Sequence, residues 1–73
     1  MDTVSTLDEA VSGRLAAFKY NVIKYKALHS LTYDQMAEAC DISYAAIRSY
    51  IHLNSSMNSR NMLKVSMATG IPV

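Results

Sequence analysis

The sequence predicts an all-α protein, a small bundle of four to five helices, and three observations carry that prediction. Apolar residues recur at intervals of three and four along most of the chain, the spacing of one face of an α-helix. No segment alternates with period two, so no sheet is expected. Glycine occurs only twice and proline once against 51% hydrophobic residues, the composition of a packed domain and not of a disordered tail.

Seventy-three residues make one domain, near the lower limit at which a single core supports a fold unaided. The one cysteine, Cys40, excludes an internal disulfide and any CxxC metal or redox motif. No apolar run approaches 18 residues and no basic-then-apolar leader opens the chain, so neither a membrane span nor a signal peptide is expected. A soluble cytoplasmic protein is the default. The net charge is only +1, but Asp2, Asp8 and Glu9 put three of the six acids in the first nine residues. Residues 10–73 carry seven basic against three acidic residues, a net +4, which supports limited non-specific affinity for nucleic acid unless a dimer doubles the field.

Residues 1–6 read as a mobile lead. Thr6 followed by Glu9 fits a capping box, so a helix is expected to open near Leu7. Leu7, Val11, Leu15, Phe18, Val22 and Tyr25 then form a stripe at spacings of four and three. Gly13 lies within it at a cost of about 1 kcal/mol relative to Ala, so either one helix runs to about Leu28 or two pieces break near Ser12-Gly13. His29-Ser30 closes this segment. Thr32 is a good N-cap for a second helix from Tyr33 to Cys40, with Met36, Ala37 and Cys40 at helical spacing. Asp41 interrupts it. Ser43 caps a third, from Tyr44 to about Leu53, with Ile47, Tyr50 and Ile51 as its inner stripe. The polar loop Asn54-Ser55-Ser56-Met57-Asn58 follows, rich in side chains that bond their own backbone. Ser59 or Asn58 caps a fourth helix ending at Thr69, with Gly70 placed as its left-handed C-terminal residue and Pro72 beyond.

The chain is organised around Thr32 to Tyr50, TYDQMAEACDISYAAIRSY. Two helices meeting at about 90–120° across a 3–4-residue turn bring their backbones close, and a small side chain such as Ala37 fits at that crossing. The stretch resembles the helix-turn-helix of the Cro-type (XRE) family, the phage repressors and their bacterial relatives. The family pattern L-T-x-x-x-L-A-x-x-x-G-I-S-x-x-x-I-x-x-Y/W is matched by Leu31, Thr32, Met36, Ala37, Ile42, Ser43, Ile47 and Tyr50. Residues 62–73, MLKVSMATGIPV, are similar to the family's next helix and its closing Leu-Gly-Val-Pro. The resemblance implies a lambda-repressor-like DNA-binding domain over residues 18–73. Residues 1–17 are an N-terminal extension, partly helical, whose apolar stripe is expected to pack on its own domain or on a partner subunit. Three residues depart from the pattern: Asp41 replaces the turn Gly, Leu53 stands at a usual Gly position so that the third helix is expected to run on to Asn54, and Ser59 replaces an apolar residue.

In a helix-turn-helix the second helix lies in the major groove with its N-terminal residues at the base edges. The resemblance thus makes Ser43, Tyr44, Ala45, Arg48 and Ser49 the base-contacting candidates. Arg48 suits a bidentate bond to guanine, and the Ala45 methyl a thymine methyl. Phosphate contacts are expected from Tyr33 and Gln35 at the start of the second helix, from His52, from Asn54, Ser55 and Asn58 in the following loop, and from Lys19 and Lys26 on the first helix. The blander reading is a polar solvated face of a small bundle, with each lysine a plain solvated charge.

No catalytic constellation is present. His29 and His52 lack metal-ligand spacing, and Cys40 on the apolar side of its helix reads as a buried structural thiol. Neither a metal, a cofactor nor a small-molecule substrate is expected. The core is expected from Phe18, Val22, Tyr25, Leu31, Met36, Ala37, Ile42, Ile47, Tyr50, Leu63 and Val65, with Met57 exposed. The expected function is that of a transcriptional regulator binding double-stranded DNA, a Cro-like phage or mobile-element repressor since no ligand or protease domain follows. The expected assembly is a homodimer, through either the Leu7, Val11, Leu15 stripe or Ile71-Pro72-Val73 with Met57. The alternative is a protein-interaction module, antirepressor- or antitoxin-like, that reuses the fold without DNA.

Overall fold

In the computed structural model, which describes residues 3–73 and their side chains from Leu7 onward, the chain forms α1 (Thr3–Leu28), α2 (Tyr33–Cys40), α3 (Tyr44–His52) and α4 (Ser59–Thr69). No strand occurs among the described residues. The first helix is continuous and begins earlier than the sequence suggested. Thr6 lies inside it and not at its start, and Gly13 does not break it. Thr and Ser sit only a few tenths of a kcal/mol below better helix formers, so the helix extends back through them cheaply. A break at Gly13 would instead strip several backbone groups of their partners.

At a rise of about 1.5 Å per residue α1 is roughly 39 Å long, and it sets the long axis of a molecule measuring 45 × 21 × 20 Å. Only its second half is covered. Phe18 and Val22 are buried, whereas every residue from Leu7 to Ala17 is exposed. Residues 7–17 therefore stand clear as an arm and do not fold back over their own domain.

Each later helix is bounded by identifiable chemistry. At the end of α1, Ser30 adopts the left-handed conformation (φ 52°); its N–H donates to the Ala27 carbonyl at 3.1 Å, and the Leu31 N–H to the Lys26 carbonyl at 3.0 Å. These paired bonds form a Schellman motif. Thr32 and Gln35 form a capping box: the Gln35 N–H donates to Thr32 Oγ1 at 3.1 Å and the Thr32 N–H to Gln35 Oε1 at 2.9 Å. Asp41 (φ 57°) repeats the Schellman pattern, with its N–H on the Glu38 carbonyl and the Ile42 N–H on that of Ala37. Ser43 Oγ accepts the Ala46 N–H at 3.1 Å, opening α3.

That helix stops one residue short of Leu53 and does not run on to Asn54. Asn54 takes the left-handed conformation (φ 54°) that Asn tolerates better than most residues. The Ser49 carbonyl then accepts two N–H groups, from Leu53 at 3.2 Å and from Ser55 at 3.1 Å. Asn58, not Ser59, caps α4, its Oδ1 accepting the Asn61 N–H at 2.8 Å. Gly70 closes it with φ 77°, as its position after Thr69 predicts.

The core draws on all four helices: Phe18 and Val22 from α1, Met36, Ala37 and Cys40 from α2, Ile47 and Tyr50 from α3, and Val65 from α4. Tyr25, Leu31, Ile42 and Ile51 pack half-buried around it. Two expectations fail. Leu63 is 57% exposed, because a residue two positions from Val65 faces the other side of the helix. Met57, expected outside, is half-buried against the core; among the described residues the exposed methionine is Met67. Burial also pushes the Cys40 thiol pKa up, leaving it a neutral apolar group.

Ser30 pays for its conformation with steric strain of about 1 kcal/mol that glycine avoids. Ser30→Gly should therefore raise stability by up to about 1 kcal/mol in urea unfolding at unchanged m-value. A loss of stability would mean that the left-handed turn is not where α1 ends.

Candidate nucleic-acid interface

The residues proposed to face DNA begin with the first turns of α2 and α3, and the structure brings these two helix starts together. The Tyr33 and Tyr44 rings meet edge to face, centroids 6.4 Å apart at 83°. Lys26 on α1 lies over the other partner in this array, its Nζ 4.4 Å from the Tyr33 ring centroid. Two N-terminal helix ends, each carrying partial positive charge from unpaired N–H groups, are thus linked through their first side chains, with an ammonium over one of the rings. The spacing of Lys26, Tyr33 and Tyr44 along the chain gives no sign of this contact, which the two intervening turns create.

Along α3 the side chains divide as their helical positions predict. Ile47 and Tyr50 are buried and Ile51 half-buried, while Tyr44, Ala45 and His52 are exposed. Arg48 and Ser49 are half-buried at the edge of the outward face. Arg48 makes no ion pair and no side-chain hydrogen bond among the described residues. Ser43 is spent on capping as an acceptor, but its hydroxyl proton can still be donated outward.

The other candidates hold the fold together. Lys19 is the clearest case. Its ammonium donates to Asn54 Oδ1 at 2.8 Å and to the Ser55 carbonyl at 3.0 Å, and lies 4.4 Å from the Tyr50 ring centroid. It ties α1 to the last turn of α3 and to the loop beyond. Gln35 Oε1 is taken by the capping box, leaving the amide nitrogen as the end that can donate outward. Asn58 caps α4. Lys64, which sequence reasoning did not single out, donates to the Asp41 carbonyl at 3.0 Å and lies 3.6 Å from its carboxylate. The exposed acid that Asp41 places in the turn is partly neutralised there, although so exposed a pair contributes little to stability.

Compared with protein-family models, curated proteins and solved structures, the chain matches none. The outward face offers an arginine, an imidazole, a phenol and a methyl group on one helix, with no carboxylate on α3 itself. No group of three or more His, Cys, Asp or Glu residues that could hold a metal occurs among the described residues. The face is suited to binding, and to an anionic or hydrogen-bonding surface in particular. No helix is long and apolar enough to cross a membrane among the described residues.

The Lys19 contacts yield a prediction. Lys19→Met keeps the aliphatic stem and removes the ammonium, so stability should fall by about 1 kcal/mol. Amide exchange at Ser55 should quicken more than in the core. Unchanged melting and unchanged Ser55 protection would show that the ammonium holds nothing.

Proposed function

We propose that this chain is a sequence-specific DNA-binding regulator of transcription, a repressor of the Cro-like phage or mobile-element kind, that inserts α3 into the major groove. The observation that supports it best is the Tyr33–Tyr44 contact. It sets the start of α2, where a phosphate can meet free N–H groups, beside the start of α3, where side chains reach base edges. Ile47 and Tyr50 anchor α3 from behind, leaving Tyr44, Ala45 and Arg48 to contact bases. His52, Tyr33, Gln35 and Lys26 flank them toward the phosphates. Lys19, Asn54 and Ser55 act chiefly by fixing the loop after α3.

The modest charge of the chain limits its non-specific affinity and makes two copies per site the natural mode. The second reading, a protein-interaction module of antirepressor or antitoxin-like kind, draws on the exposed apolar arm of α1. Mobility shifts on genomic fragments across a salt series separate the two. A DNA-binding protein shifts a subset of fragments with affinity falling as salt rises, and an interaction module shifts none.

Within this reading Arg48 carries discrimination. Arg48→Ala should lose roughly 1–3 kcal/mol on the preferred site, as expected for one bidentate base contact, while the fold and residual binding to random DNA persist. Equal losses on preferred and random duplexes would make Arg48 a phosphate contact instead.

A further inference from the structure

The arm of α1 leaves a row of apolar side chains unpartnered: Leu7 is 63% exposed, Val11 49% and Leu15 44%. A lone helical arm has no reason to present such a row to water. We infer that the arm is the self-association surface of this protein, and that two arms pair antiparallel about a two-fold axis at Val11.

Three observations select a second copy and this orientation. First, the competing C-terminal surface is partly used within one chain, because Ile71 and Met57 pack against the core, and the residue left exposed there, Val73, adjoins the arm at Leu15. Second, the charges on the arm are segregated, with Asp8 and Glu9 near its tip and Arg14 toward its base. Parallel arms would stack acid on acid, whereas an antiparallel pair centred on Val11 sets Leu7 opposite the partner copy's Leu15 and brings the acidic turn level with the partner copy's Arg14. Third, the apolar surface continues past Leu15. A groove of about 410 Å³ lined by Leu15, Met62, Leu63 and Val73 adjoins the level that the partner copy's Leu7 would reach. This extension supplies area that two bare arms lack, since stable interfaces bury about 800 Å² per partner.

The pairing also fits the proposed function, although only this point rests on that reading. The α3 helix spans the levels of α1 between Lys19, which touches its last turn, and Lys26, which reaches its first turn through Tyr33. Its middle is thus level with Val22, 11 residues from Val11. Two such distances at 1.5 Å per residue put the two α3 helices about 33 Å apart along the common axis, close to the roughly 34 Å between half-sites.

Sedimentation equilibrium of the full chain without nucleic acid reads the pairing independently of any DNA. Twice the 8.1 kDa chain mass is expected at tens of micromolar. Val11→Asp, which sets two carboxylates at the two-fold axis, should weaken the dimer roughly 100-fold or more while keeping a helical circular dichroism spectrum, with melting lowered to that of the dissociated wild type at low concentration. A monomeric wild type, or a Val11→Asp protein that still dimerises, overturns the proposal. Orientation is read by mild oxidation of single-cysteine arms, Cys40 being buried. A mixture of Leu7→Cys and Leu15→Cys proteins should cross-link between the two variants and neither should cross-link alone. Cross-linking of Leu7→Cys to itself would overturn the antiparallel arrangement.

Discussion

Eight side chains, drawn from all four helices and almost fully withdrawn from water, are what the rest of this structure depends on. Helices of eight, nine and eleven residues are below the length at which a helix is stable by itself in water. Their order is therefore borrowed from the shared core in which Met36, Ala37, Cys40, Ile47, Tyr50 and Val65 cluster with Phe18 and Val22. Ala37 contributes by being small. It is buried where α2 turns toward α3, and a larger side chain there would force the two helices apart. With so little buried surface, the caps at Thr32, Ser43 and Asn58 carry a larger share of stability than they would in a bigger domain.

Polar contacts then orient what the core holds. Lys19 reaches across to Asn54, Ser55 and the Tyr50 ring, fixing the end of α3 against α1. Lys26 and Tyr33 fix its beginning through Tyr44. A helix held at both ends presents its outward face in one orientation, which is what reading a rigid groove requires. Charges that sequence reasoning assigned to phosphate are in part the means of this orientation.

Much of this was legible in the chain. The caps at Thr32 and Ser43 are local, one side chain meeting an N–H three residues on, so residue type and position suffice to place them. Gly70 is equally local. Helical periodicity placed Ile47 and Tyr50 inside, but it also shows why the expectation for Leu63 failed, since Leu63 and Val65 cannot share a face. Left-handed positions were harder. Asp41 stands where the resembling family has glycine, and the resemblance rather than its residue type marks it, while nothing local marks Ser30. At the end of α3 the resemblance misled, because the left-handed role passed from the position of Leu53 to Asn54. The burial of Met57 and the contacts of Lys19 and Lys26 join residues distant in sequence, and no local pattern records them. The extent of α1 was missed because Thr3, Ser5 and Thr6 lie within the helix, where the sequence suggested a lead and a start near Leu7.

The central claim is that the paired starts of α2 and α3 form a DNA-reading face, with the apolar arm of α1 reserved for a second copy. The most direct measurement is an NMR titration of isotope-labelled protein with a duplex selected from a random-sequence pool. The account predicts amide shift changes concentrated at residues 43–52 and 32–35, saturating at two chains per duplex, with the core amides little moved. Changes confined to residues 7–17 and the groove beside Leu63, with α3 silent, would contradict it.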